Sequence, residues 1–121
     1  MSRILVAEDN PMNRELIREM LEARGYEMVE AATGLEALER VDRAAPDLVL
    51  LDVQMPVLDG YGVIRQLRND KRFTRLPVVG LTAYAMRGDR EKALAAGFSS
   101  YVTKPIDFAV LTGEIERLLK G

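Results

Sequence analysis

Neither cysteine nor histidine occurs among the 121 residues. Without cysteine there is no disulfide framework, no thiolate nucleophile and no thiolate-bound metal. Without histidine there is no Ser-His-Asp triad, no imidazole zinc site and no phosphohistidine on this chain. Long apolar runs are missing as well, since none approaches the ~20 residues that cross a bilayer. The opening Met1-Ser2-Arg3-Ile4-Leu5 lacks the apolar region and small-residue cleavage site of a secretory signal. Charge of one sign is scarce: 17 basic and 19 acidic residues leave a net charge of −2, so there is no electrostatic footprint for nucleic acid. No G-x-G-x-x-G or Walker A pattern, internal repeat or low-complexity tract is found. The expectation is one cytoplasmic domain over residues 1–121, with neither membrane nor nucleic acid as partner. Carboxylates, hydroxyls and lysine remain for chemistry, the groups that handle phosphoryl transfer on a hard cation.

The chain is 48% hydrophobic and 30% charged, an ordinary globular balance. Short apolar runs alternate with helical patterns five times. Ile4-Leu5-Val6-Ala7, Leu48-Val49-Leu50-Leu51 and Val78-Val79-Gly80-Leu81 read as fully buried strands, with weaker candidates at Met28-Val29 and Ser100-Tyr101-Val102. Asn10 and Pro11 are a helix start, followed by an apolar face of Leu16, Ile17, Met20 and Leu21 and a stop at Gly25 as the C′ residue. Thr33-Gly34-Leu35-Glu36 fits a capping box ahead of Leu35, Leu38 and Val41, and Pro46 ends that run. A third helix begins near Gly60 with Val63, Ile64 and Leu67. A fourth, from about Arg87 to Ala96, has few large apolar residues. The fifth follows Asp107 with Phe108, Leu111, Ile115, Leu118 and Leu119 on one stripe. Five βα units in one domain predict an α/β fold, a doubly wound parallel sheet with right-handed crossovers and helices on both faces.

In such sheets ligands bind beyond the carboxyl ends of the strands. Those ends carry Glu8-Asp9, Asp52, Thr82 and Lys104. Each residue alone is unremarkable, as a cap, a turn former or a solvated side chain. Together they bring three carboxylates, a hydroxyl and an ammonium to one edge. Three carboxylates that close repel unless a cation neutralises them. Mg²⁺ suits oxygen donors and keeps room for phosphate oxygens, with Mn²⁺ as the alternative. A phosphoryl group could then reach Asp52 with Lys104 and the cation offsetting its charge.

These segments resemble the receiver domain of two-component response regulators along the whole chain. The matching stretches are Ile4-Leu5-Val6-Ala7-Glu8-Asp9-Asn10, Leu50-Leu51-Asp52-Val53-Gln54-Met55-Pro56 with Asp59-Gly60, Leu81-Thr82-Ala83, and Tyr101-Val102-Thr103-Lys104-Pro105. The resemblance implies a (βα)5 flavodoxin-like fold with strand order 2-1-3-4-5. It implies that Asp52 is the phosphoacceptor, and that Asp9, Glu8 (through water) and the backbone carbonyl of Gln54 serve the metal together with Asp52. Lys104 would pair with a phosphoryl oxygen, Thr82 and Tyr101 would switch together, and the Lys104-Pro105 peptide would be cis. Glu8 stands where Asp is also common in the family.

By the same resemblance the donor is a histidine kinase or histidine phosphotransfer protein, met through Met12, Asn13, Arg14 and the loop after Lys104. The response is expected in the segment Ala83 to Tyr101, with Tyr84-Ala85-Met86 as tethers. A downstream protein partner would then dock on the surface of the fourth helix, fifth strand and fifth helix. The chain would be a switch rather than an enzyme, a monomer with dimerisation on phosphorylation as the alternative. A haloacid dehalogenase-type phosphohydrolase is the nearest enzyme reading, but such enzymes carry a second Asp where this chain has Gln54. Whether the chain is a stand-alone regulator, like cell-cycle regulators of this family, or a piece of a hybrid kinase or longer regulator stays open.

Overall fold

In the computed structural model, which describes residues 2–55, 57–83 and 87–120, the five apolar runs form one parallel sheet. The elements run β1 (Arg3–Ala7), α1 (Pro11–Glu22), β2 (Glu27–Ala31), α2 (Gly34–Ala44), β3 (Leu48–Asp52), α3 (Gly60–Asn69), β4 (Val78–Thr82), α4 (Asp89–Ala96), β5 (Ser100–Thr103) and α5 (Phe108–Lys120). A 3₁₀ turn, Lys71–Phe73, follows α3. The strand order is β2-β1-β3-β4-β5, as expected, with every neighbouring pair parallel. None of the helices among the described residues is long and apolar enough to cross a membrane.

Period-2 alternation sorts the strand side chains onto two faces. Leu5, Ala7, Val49, Leu51 and Val78 pack with Ala37, Val41, Val63, Ile64, Leu67, Ala93 and Phe98, from the side of α2, α3 and α4. Ile4, Val6, Leu48, Leu50, Val79 and Leu81 pack with Ile17, Leu21, Leu111 and Ile115 of α1 and α5. β1, β3 and β4 are therefore covered twice, which is why they read as continuous apolar runs. β2 is an edge strand with only Ala31 fully buried, and its Glu27 and Glu30 pair with Arg3, Arg14 and Arg18. Charge on an edge blunts further strand addition and also hides the strand from an apolar-run reading.

Caps hold the helices at the expected starts. The Asn10 side chain accepts from the Met12 and Asn13 amides, and the Thr33 hydroxyl from the Glu36 amide. Asp59 caps α3 through the Gly62 amide, and Asp107 accepts from the Ala109 amide at the start of α5. Four expectations need correction. Leu16 and Met20 on α1 and Leu35 on α2 lie on the solvent side, because Ile17 with Leu21, and Ala37 with Val41, already fill the sheet-facing stripes. Glu36 completes no capping box, its carboxylate pairing with Arg40 one turn on. Gly25 is not the C′ residue: Ala23 is the C-cap of α1 and Gly25 lies two positions further, where its φ of +92° turns the chain towards β2. α4 starts at Asp89, not Arg87, with Gly88 as its N-cap.

Candidate functional site

The strands set the positions of the polar residues. β3 ends on Asp52, β4 on Thr82, Glu8 and Asp9 follow the last residue of β1, and Lys104 follows the last of β5. β1 and β3 lie side by side at the point where the chain reverses its direction of travel across the sheet, the usual crevice of such folds. Backbone bonds lock the ends together. The Glu8 amide donates to the Ala31 carbonyl at 3.0 Å, the Val53 amide to Leu81 at 2.8 Å and the Lys104 amide to Thr82 at 2.6 Å. Gly60 brings α3 hard against this edge: a Cβ there would lie 2.7 Å from Val53 Cα and 2.9 Å from the Asp52 carbonyl oxygen.

Glu8 and Asp52 are 1% and 2% exposed, an arrangement that demands compensation. An unpaired buried carboxylate costs several kcal/mol, more than the ~1.5–3 kcal/mol gained by burying one strand leucine. Lys104 meets that demand, its Nζ lying 3.0 Å from Glu8 Oε2 and 2.9 Å from Asp52 Oδ2. The Gln54 amide donates to the other Asp52 oxygen at 3.0 Å. Burial raises Glu8 above the ordinary carboxylate range; the Lys104 hydrogen bond opposes this, and the Asp52 charge adds to it. Burial would lower Lys104, but its hydrogen bonds to Asp52 and Glu8 more than offset that and leave it raised.

Asp9 completes the acidic group on the exposed side: one carboxylate oxygen each from Glu8, Asp9 and Asp52 lies within 4.8 Å of the others. Three hard anionic oxygens with one solvent-facing member are a donor set that fits a divalent cation with open positions for water or phosphate. On the other flank the Gln54 side-chain amide donates to Thr82 Oγ1 at 3.0 Å. Tyr101 lines a cavity of about 210 Å³ next to Thr82, with Gln54, Tyr61, Asp89 and Lys92. The Lys104-Pro105 peptide is cis.

The expected residues Glu8, Asp9, Asp52, Lys104, Thr82 and Tyr101 are thus gathered at one edge. Tyr84-Ala85-Met86 and Pro56 lie outside the described residues. Two further residues are not marked in the sequence: Tyr61, whose ring meets Phe98 edge-on at 5.8 Å and carries Lys92 Nζ 5.0 Å above it, and Arg68, which donates to the carbonyls of Gly97 and Phe73. No spacing signal points to either, because Tyr61 meets Phe98 and Lys92, and Arg68 meets Gly97, across elements distant in sequence.

The family model of the response regulator receiver domain matches residues 4–116. The chain belongs to this family. The receiver is 40% identical over 103 residues to the polar-differentiation response regulator DivK of Brucella ovis, covering 85% of this chain and 84% of that one. It superposes on the receiver domain of a signal transduction histidine kinase from Syntrophus aciditrophicus with a TM-score of 0.92 and 34% identity, over 100% of this chain and 92% of that one. A third similar protein is the receiver domain of a sensor histidine kinase from Pseudomonas aeruginosa, with a magnesium ion coordinated in its active site cleft. That receiver matches with a TM-score of 0.91 and 38% identity, over 99% of this chain and 98% of that one. Receivers are signalling switches within two-component systems, so the edge holding Asp52 is where the switch chemistry is sought.

Proposed function

We propose that this receiver accepts a phosphoryl group on Asp52 from a phosphohistidine of a histidine kinase or phosphotransfer protein. The observation that carries this reading is the buried Asp52 carboxylate held by Lys104 on one oxygen and the Gln54 amide on the other, beside Glu8 and Asp9. In the transfer, an Asp52 oxygen forms a bond to phosphorus as the phosphorus–nitrogen bond of the donor breaks. The imidazole leaves with that electron pair. Glu8, Asp9, Asp52 and the Gln54 backbone carbonyl would hold Mg²⁺. When bound, the ion supplies positive charge against the transferring oxygens. Lys104, paired with Glu8 and Asp52 in the resting site, is placed to transfer one of these bonds to a phosphoryl oxygen on Asp52. Thr82 offers its hydroxyl from the end of β4, and Tyr101 answers its movement in the adjoining cavity.

Donor docking is assigned to α1. Met12, 79% exposed, and Leu16 sit one turn apart, and Leu16 borders a groove of about 510 Å³ shared with Asn13, Ala83, Pro105, Ile106 and Phe108. Arg14 contributes mainly inward, donating to the Glu8 carbonyl and pairing with Glu30. The output face comprises α4, β5 and α5. α4 buries only Ala93, has no side-chain N-cap bond, and is therefore the helix held by the least apolar contact.

Incubation with acetyl phosphate and Mg²⁺ tests the central claim. The wild type should incorporate acid-labile phosphate, and Asp52→Asn should not; equal labelling of the variant would overturn the assignment.

A further inference from the structure

Gln54 touches both halves of the proposed switch. Its backbone amide holds Asp52 Oδ1 at 3.0 Å, and its side-chain amide reaches across to the neighbouring strand and donates to Thr82 Oγ1, also at 3.0 Å. Thr82 is 1% exposed, whereas Gln54 is an exposed residue in the turn after β3, so the bond joins a buried hydroxyl to a side chain with little else to fix it. A threonine side chain has few rotamers, and its oxygen position follows from χ1. A donor fixed on that oxygen therefore selects one rotamer over the others.

From this geometry we propose that Gln54 is a positioning residue for Thr82: its amide latches the hydroxyl in the resting arrangement and sets the threshold at which the switch turns over. The inference rests on the acceptor reading of Asp52 and deepens it. A phosphoryl group on Asp52 recruits the Thr82 hydroxyl only by drawing it off the Gln54 amide, and the cavity beside Thr82, with Tyr101 and Tyr61 in its lining, gives the side chain room to turn. The released amide then faces solvent and loses little. The latch acts on the resting state alone. Removing it raises the free energy of the unliganded protein and leaves the activated state as it was, so the activated state becomes easier to reach.

Beryllofluoride at saturating Mg²⁺ stands in for the phosphoryl group, its affinity read by amide chemical-shift titration. Gln54→Ala, and Gln54→Met, which keeps the length but has no donor, should both bind it about two- to tenfold more tightly than wild type, the usual net worth of one hydrogen bond. In the Thr82→Val background the same substitutions should change nothing, because the acceptor is gone. Urea midpoints supply a readout that a merely structural bond would not give: each Gln54 variant should fall below wild type without beryllofluoride and match it when saturated. Unchanged or weaker affinity in both variants overturns the latch. So does a gain that persists in the Thr82→Val background, which would mean that Gln54 acts on the ligand directly. Binding by Asp52→Asn as tight as wild type would instead sink the acceptor reading. Asp52-dependent binding that the Gln54 variants merely match sinks the latch alone.

Discussion

Replacing Lys104 by methionine tests how the site is held together before any ligand arrives. Methionine keeps the length and the apolar stem and removes only the ammonium, which lies 3.0 Å from Glu8 and 2.9 Å from Asp52. With an effective dielectric near ~20, each contact has a gross attraction of about 5 kcal/mol, reduced by the cost of drawing the ammonium from water. Breaking one side of a buried pair typically costs about 3–5 kcal/mol because the other charge stays behind. Two carboxylates stay behind here, but the Lys104 side chain is 21% exposed, so water can reach them. We therefore expect a loss of about 2–3 kcal/mol at pH 7.5 in chelator and low salt. For a domain of this size each kcal/mol moves Tm by ~3–5 °C, so the variant should melt about 6–15 °C below wild type.

The pH dependence fixes the cause. Glu8 has a folded-state pKa raised above its unfolded value, so its ionisation costs stability at neutral pH, and that cost is relieved as pH falls through the folded value. Without Lys104 the value rises further, and the deficit of the variant should shrink as pH falls and Glu8 takes up a proton. Lys104 is raised too, so its stabilisation is complete below the ordinary lysine range and disappears as pH rises through the folded value, where the two proteins should also converge. Mg²⁺ should bind the variant more tightly, since no ammonium competes for the carboxylates. Scanning calorimetry at three pH values decides. A deficit below about 2 °C at pH 7.5, or one that is as large at pH 5, would refute the reasoning.

Two further perturbations test the scaffold. Val57 is 79% exposed with φ of +72°, a conformation a β-branched residue adopts only under strain, so Val57→Gly should stabilise by about 0.5–1 kcal/mol in urea titration despite the greater freedom of the unfolded chain. Arg68→Met removes the half-buried donor to the Gly97 and Phe73 carbonyls, and should cost about 2 kcal/mol and speed amide exchange at the C-terminal end of α4 while sparing β1.

The legible parts of this molecule are those in which one residue type suffices to state a position. β1, β3 and β4 announce themselves because strands buried on both faces must be apolar throughout. Asp52 and Thr82 end such runs and Glu8 lies one residue beyond another, so locating the runs locates most of the site; Lys104 follows the shorter, partly exposed β5. The helices were legible through their caps more than through their faces. Asn10 and Thr33 bond amides as the caps expected of them, whereas Leu16, Met20 and Leu35 look like core residues and lie on the solvent side. An apolar side chain adjoining a helical stripe falls on one side of its margin or the other according to how the helix rotates on the sheet, and the sequence does not state that rotation.

What could not be read at all are the links between side chains of different elements. That Gln54 reaches Thr82, that Arg68 closes the end of α4 and that Tyr61 lies between Phe98 and Lys92 depend on rotamers and on strand spacing, both set by the finished packing. Gln54 shows the consequence most clearly. In sequence it is informative for what it is not, since a second aspartate there would suggest a hydrolase. In the folded chain the same position gains a positive content: a neutral amide has donors that a carboxylate lacks, and one of them is spent on the Thr82 hydroxyl. A carboxylate at position 54 would accept from that hydroxyl instead and, under the proposed transfer, would repel a dianion on Asp52. Under the proposed reading, the residue whose identity argues against a hydrolase would thus also tune how readily the switch is thrown.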